Sequence, residues 1–332
     1  MSIPLTLLRR LAKALSASTL FLIFLGGLVK STESGLSVPD WPTTYGHFMF
    51  AFPLDQMVGG IKYEHTHRMA ASLVGLFALV LCVLLLRSAA EVWVKRLSLW
   101  AVVMVILQGI LGGLTVKHFL PAWLSTMHGV LAQTFFLMTL LMAYGLSIER
   151  QSRLNLQETY KPVFLKAVVF LLVMVYTQLI LGNLMRHTES GLAIPDFPTM
   201  GGTLLPSLDQ GMLMRINEWR FQNNLEAVRM GQVHIHLTHR LWALFILLVL
   251  MYINGAAYKY CLQRPLILKT VFWLNLAMVL QIALGISTVL MQKEIVTTTL
   301  HVATGAVVLG LSFLLLLRSG PVGCGDFKRV LT

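Results

Sequence analysis

The sequence predicts an all-α integral membrane protein, with eight transmembrane helices arranged as two pseudo-two-fold related four-helix bundles. Three observations lead there. Apolar residues make up 56% of the 332 and charged residues only 12%. The apolar residues fall into eight runs of about twenty, the length that crosses a hydrocarbon core of ~30 Å. One phrase is also written twice, TESGLSVPDWP at 32–42 and TESGLAIPDFP at 188–198, with eight of eleven positions identical.

Taken in order, the runs lie at 14–30, 65–86, 97–116, 123–147, 166–185, 233–254, 270–291 and 298–317. The first follows Arg9, Arg10 and Lys13 and could pass for a secretory signal. Its repeat partner at 166–185 is internal, so it is read as a span. The second and sixth open with related motifs, EHTHRMAASLVGLF (64–77) and HLTHRLWALFILLV (236–249). The third and seventh carry LQGILGGLTV (107–116) and LQIALGISTV (280–289). The offset between the halves is 156 at the loop phrase and 172 or 173 beyond it, so the second outer loop has about sixteen extra residues. They fall near MRINEWRFQNNLEAVRMG, whose mixture of charge and apolar residues suits the membrane interface. Four helices per half is an even number, so both halves enter the bilayer from the same side, as a parallel repeat about the membrane normal. Residues 1–150 form the first half and 151–332 the second.

A net charge of +12 would suit nucleic acid if it were clustered on one face. It is not. With the N-terminus inside, sixteen of the 26 Lys and Arg fall on the cytoplasmic side, among them Arg150, Arg153, Arg318, Lys328 and Arg329, while ten of the fourteen acids fall at or near the outer side. That is the positive-inside pattern of an inner or plasma membrane protein, with both termini cytoplasmic and no nucleic-acid partner. Cys82, Cys261 and Cys324 lie in a helix, an inner loop and the tail, so no disulfide is expected on the oxidising side.

In each repeated loop, Gly35 and Gly191 permit unusual backbone angles, and Pro39, Pro42, Pro195 and Pro198 stiffen the chain after them. The loops read as structural lids; a sharper reading has Glu33 or Asp40 gating a site beneath.

Ionisable residues within spans are costly and point to function. Four histidines recur at matched depth near the outer face: His67, His128, His239 and His301. The separations of 61 and 62 suggest one pair per half, drawn from two helices. Paired imidazoles across a bundle suit the two axial positions of a haem iron. Zinc competes, but it needs three or four ligands in one place. His47, His65, His118, His187 and His234 lie outside the repeated register. Three odd-numbered spans carry Gln with Gly four residues on, at Gln108 and Gly112, Gln178 and Gly182, and Gln281 and Gly285. These serve helix packing or let a flat macrocycle approach the backbone.

The motif is asymmetric. It reads Glu64, His65, Thr66, His67, Arg68 in the first half and His236, Leu237, Thr238, His239, Arg240 in the second. Glu64 lies three residues before His67, on the same helix face, which makes it a candidate proton acceptor beside one pair only. The alternative is a plain pair with Arg68. Arg68 and Arg240, equivalent in the repeat, also suit haem propionates.

With these residues in place the chain resembles the haem A synthase family: eight spans in two halves, Glu-x-x-His-Arg on the second span, a His on each later even span, and the paired TESGL loops. The resemblance covers nearly the whole chain. It implies oxidation of a methyl group of haem O to a formyl group, giving haem A for terminal oxidases, by successive hydroxylations with oxygen from water. It further implies that His67 and His128 hold the substrate haem, that His239 and His301 bind a resident haem b relaying electrons, and that Glu64 is the catalytic acid or base. Expected partners are haem O, handed over by a haem O synthase, the lipid bilayer, an electron acceptor of unstated identity and, left open, a second copy of the chain. Some bacterial members carry an outer-loop cysteine pair; this chain has none there and is closer to the members without it. The rival reading is a dihaem cytochrome b that only transfers electrons, which leaves Glu64 unexplained. A secondary transporter is a weaker rival, since these histidines cluster near one face.

Overall fold

The computed structural model describes residues 3–155 and 161–320; Cys324, Lys328 and Arg329 lie outside the described residues. The chain runs through α1 (Leu5–Ser31), α2 (Gly59–Leu86), α3 (Val92–Lys117), α4 (Ala122–Gly145), α5 (Ile148–Asn155), α6 (Pro162–His187), α7 (Gln210–Gln222), α8 (Met230–Tyr260), α9 (Pro265–Leu290) and α10 (Ile295–Ser319). All except α5 and α7 are long and apolar enough to cross a membrane, which makes the eight expected spans. Each span starts before its apolar run, α1 by nine residues and α4 by one. Hydropathy marks where lipid contact ends, whereas backbone hydrogen bonding carries the helix on to its cap. In α6 and α9 a proline in the first turn sets the start.

Within the first half, α1 packs on α2, α2 on α3, α3 on α4 and α4 on α1; α6, α8, α9 and α10 close the same ring in the second. Between the halves α1 meets α10, α4 meets α6, and α4 meets α10. Exchanging the halves turns each of these contacts into another of the same set, as a two-fold relation would. Small and large residues also change sides across this seam. A Cβ on Gly129 of α4 would lie 2.6 Å from Asn183 Oδ1 of α6, whereas at the equivalent contact Gly27 of α1 receives Val302 of α10. Such close approach between backbones is how helices associate where lipid supplies no hydrophobic drive. Cys82 and Cys261 are free and buried.

The two short helices escape a hydropathy reading. In α5, Arg150 pairs with Glu91 and stacks on Trp93, and Glu149 pairs with Arg318 at 2.7 Å. Arg153 donates to the carbonyls of Leu317 and Gly320. The arginines behind the charge bias thus also lace α3, α4 and α10 together at one end. In α7, Asp209 caps the first turn through Met212 N at 2.7 Å. Its Met212 and Ile216, spaced by four, pack on Ala193, Ile194, Val233 and Leu237, Arg220 one turn on donates to the carbonyls of Leu192 and Glu226, and Met214 and Phe221 face outward.

Candidate functional site

Both TES segments build helix C-caps. Thr32 and Thr188 end α1 and α6, and the next residue takes the left-handed conformation, Glu33 at φ 55° and Glu189 at φ 53°. The N–H groups of Ser34 and Ser190 then reach back to the carbonyls of Val29 and Met185, both at 2.9 Å. The left-handed residue is therefore the glutamate, and not Gly35 or Gly191 as the turn chemistry suggests. Those glycines make room for neighbours, Leu120 at 3.1 Å and Lys293 at 3.4 Å from an added Cβ.

Beyond the caps, each loop is a pinned lid. Asp40 accepts from Tyr45 N at 2.7 Å, Gly46 N at 2.9 Å and the Thr43 hydroxyl; Asp196 does the same for Gly201 N and Gly202 N, both at 2.8 Å. The Trp41–Pro42 and Phe197–Pro198 peptides are both cis. An arginine from the helix below then grips each loop by its carbonyls. Arg68 donates to the carbonyls of Val38 (2.8 Å), Asp40 (2.6 Å) and Thr43 (3.2 Å), and Arg240 to those of Ile194 (2.9 Å), Asp196 (3.0 Å) and Thr199 (3.4 Å). These are the same three positions in the repeat.

Glu64 belongs to this grip. It is 3% exposed; Oε2 accepts from Val38 N at 2.8 Å and Oε1 from Arg68 Nη2 at 2.6 Å. His236 stands at the matching place, with Nδ1 3.1 Å from Ile194 N and Nε2 3.1 Å from Arg240 Nε. A neutral imidazole has a single lone pair, so His236 can accept from just one of these donors, whereas a carboxylate accepts from both. The sequence shows Glu64 against His236 as presence against absence of an acid. The structure shows the two side chains at one shared post.

The four candidate ligands sit deeper, each within the first ten residues of its helix: His67 in α2, His128 in α4, His239 in α8 and His301 in α10. Every one lays its Cε1 edge on a glycine of the neighbouring helix. An added Cβ would come within 3.1 Å at Gly26 for His67, 3.0 Å at Gly112 for His128, 3.2 Å at Gly182 for His239 and 2.9 Å at Gly285 for His301. Packing and close backbone approach by a macrocycle were the two uses the Gln-x-x-x-Gly spacing suggested; the glycines receive imidazole. Gly26 is the fourth cradle, which that motif misses because Leu22 stands where glutamine stands elsewhere.

The glutamines brace the same rings. Gln108 Nε2 donates to the His128 carbonyl at 2.9 Å and Gln178 Nε2 to the His239 carbonyl at 3.0 Å, each with its amide beside the ring. His301 Nδ1 lies 3.1 Å from the Gln281 carbonyl. Only a protonated nitrogen bonds a carbonyl, so that contact leaves Nε2 of His301 with the lone pair a metal takes. Nδ1 of His67, His128 and His239 is buried with no partner. α2 and α4 stand at opposite corners of the first ring of four helices, and α8 and α10 at opposite corners of the second, so each half carries one pair of imidazoles on non-adjacent helices. One pair per half, cradled by glycine and with unmet polar atoms, fits the axial ligation of a haem in each bundle. Zinc fits poorly: among the described residues no three His, Cys, Asp or Glu side chains gather to hold an ion.

Of the other histidines, His65 Nδ1 lies 3.1 Å from the Thr44 hydroxyl and its ring touches Phe52, which makes it part of the lid anchor. The lid of the first half also reaches α3, where the Trp41 indole lies against Gly113; a Cβ there would come within 2.4 Å of the ring. At the seam of the halves, Arg186 donates to the Gly27 carbonyl at 3.0 Å, and Glu189 bridges Lys30 and Lys293. Burial raises the Glu189 carboxyl, but the two lysines bring it below its ordinary 4.5. An apolar groove between α6 and α8 is lined by Val163, Phe170, Phe245, Leu248 and Tyr252.

Comparison with known proteins agrees with this architecture. The family COX15-CtaA, described as cytochrome oxidase assembly protein, matches residues 9–313. The chain is 25% identical over 292 residues to a protein named Heme A synthase from Halalkalibacterium halodurans, covering 86% of this chain and 88% of that one. A second protein of that name, from Pelagibacter ubique, is 24% identical over 330 residues, with 90% and 92% covered. A third, from Geobacillus kaustophilus, is 26% identical over 331 residues, with 96% and 95% covered.

Proposed function

The chain belongs to the haem A synthase family (COX15-CtaA), and from that premise we propose that it oxidises a methyl group of haem O to the formyl group of haem A in its first half. Residues 1–150 hold the substrate between His67 and His128, and residues 151–332 hold a resident haem b between His239 and His301. The observation that carries this reading is the repeated imidazole pair with a carboxylate beside one pair alone.

Converting a methyl to a formyl with oxygen from water releases four protons and four electrons per product. Glu64 accepts protons near His67; the Val38 N–H and the Arg68 guanidinium fix its orientation. When bound, haem b supplies a one-electron relay of the bis-imidazole kind toward an electron acceptor. Arg68 and Arg240 act from α2 and α8, holding the loops over the sites; any propionate contact would add to those carbonyl bonds. The charge bias supports cytoplasmic termini and haem sites near the outer face of a bacterial inner membrane. A haem O synthase in the same bilayer is the natural donor of the lipid-tailed substrate.

A specific observation favours a second reading, a dihaem cytochrome b that only transfers electrons. Both halves share one cradle design, and both oxygens of Glu64 are engaged much as His236 is. Extracting pigment from the purified protein and resolving it by mass decides between them. Haem b together with haem O or haem A supports the synthase, whereas haem b alone supports the cytochrome.

A further inference from the structure

The four imidazoles are cradled alike but not braced alike. Three of them have a glutamine one turn from the cradle glycine: Gln108 and Gln178 donate their side-chain amides to the carbonyls of His128 and His239, and Gln281 holds Nδ1 of His301 through its main-chain carbonyl. The fourth, His67, has Leu22 at that place, the repeat equivalent of Gln178. Its Nδ1 is buried without a partner, as it is in His128 and His239; what His67 lacks is the glutamine, since Leu22 packs in the apolar core of the first bundle. Thus the second half braces both of its rings, and the first half braces only His128.

We propose that His67 is the exchangeable ligand of the first half, and that the side chains of Gln108 and Gln178 and the main-chain carbonyl of Gln281 keep the other three imidazoles in place. This rests on the reading of the histidines as haem ligands. A side-chain amide bonded across two helices holds the histidine-bearing turn and narrows the ring's freedom; a leucine holds by shape alone. Substrate must arrive and product must leave, whereas a relay haem must stay. The unbraced ligand lies where exchange is needed, and the fully braced pair where it is not. Glu64, one turn before His67, is pinned by Val38 N and Arg68, so the carboxylate stays ordered while its neighbour releases.

The test uses the full chain with one pair removed at a time. His239→Ala with His301→Ala leaves the first site, and His67→Ala with His128→Ala leaves the second. Each protein is purified in detergent, loaded with haem b and mixed with excess apo-globin, and haem transfer is followed by visible absorbance together with the low-spin bands of bis-imidazole iron. The first site should release haem faster than the second. Leu22→Gln should slow release from the first site about tenfold, and Gln178→Leu should speed release from the second by a similar factor, since one net hydrogen bond is worth about a decade. Leu22→Met, which keeps the apolar shape, should leave the rate unchanged. If Leu22→Gln fails to assemble, Gln178→Leu carries the test alone. Unchanged release in Gln178→Leu, or in a folded Leu22→Gln, overturns the proposal. Failure of both single-site proteins to give low-spin haem overturns the ligand reading itself, which is a different result.

Discussion

Replacing Glu64 by histidine puts the second half's own solution into the first half and separates a proton acceptor from a loop anchor. Glu64 satisfies two donors, Val38 N at 2.8 Å and Arg68 Nη2 at 2.6 Å. Histidine in that post can satisfy one, as His236 does. The change therefore costs one charge-assisted hydrogen bond, about 2 kcal/mol. Glu64→Ala leaves both Val38 N and the Arg68 guanidinium without an acceptor, at a cost of about 3–5 kcal/mol. The histidine variant should fold with a melting temperature only a few degrees lower, keep its lid and keep low-spin haem. If the carboxylate takes protons during oxidation, conversion should fall by about 10²–10⁴, the usual worth of a positioned acid or base. The assay is haem O and haem A extracted from membranes and quantified by mass, alongside thermal melting in detergent. A Glu64→His protein that folds, holds haem and still makes haem A at the parental rate would refute the acid–base role and leave Glu64 as an anchor.

Gly285→Ala places a methyl group 2.9 Å from His301 Cε1; the ring must shift, and pyridine haemochrome assay should show loss of most haem from the second half, with smaller loss for Gly182→Ala, where the gap is 3.2 Å. Arg240→Met releases the carbonyls of Ile194, Asp196 and Thr199 and should make the 188–229 loop cleavable by trypsin in intact protein, while Arg68→Met should be worse because it also orphans the buried Glu64; equal melting temperatures for the two would count against the pairing. For Asp40, burial raises the carboxyl, but bonds from Gly46 N, the Thr43 hydroxyl and Tyr45 N bring it below its ordinary 3.8. A depressed folded-state value means that stability is fully present above the unfolded pKa and is lost as pH falls through the folded one, so lid protection from proteolysis should be flat from about pH 5 to 8 and fail only well below pH 4. Asp196 is lowered in the same sense, its burial likewise outweighed by bonds from Thr199, Gly202 N and Gly201 N, so both lids should open over the same acidic range.

Much of this molecule is legible from residue order, because the bilayer enforces it. Lipid cannot bond to backbone polar groups, so twenty apolar residues become a helix whatever their neighbours do, and eight runs gave eight spans. Duplication did the rest: the histidines at 67, 128, 239 and 301 stand out because they recur. Short amphipathic helices carry no such signal, and α5 and α7 were not separable from loops by hydropathy.

What only the tertiary structure decided is which atoms answer to which. The paired loops gave no hint that Glu33 and Glu189, and not the glycines, take the left-handed turn; that choice belongs to the way the helix ends. Sequence could set Glu64 against His236 as different, but their common contact with the N–H of residue 38 or 194 depends on a loop folding back from 26 or 42 positions away. The cradle of Gly26 and the missing brace at Leu22 likewise exist only once α1 lies against α2. Composition and periodicity act along the chain and survive in the sequence, whereas a hydrogen bond between helices depends on position to within a fraction of an ångström, which packing alone sets.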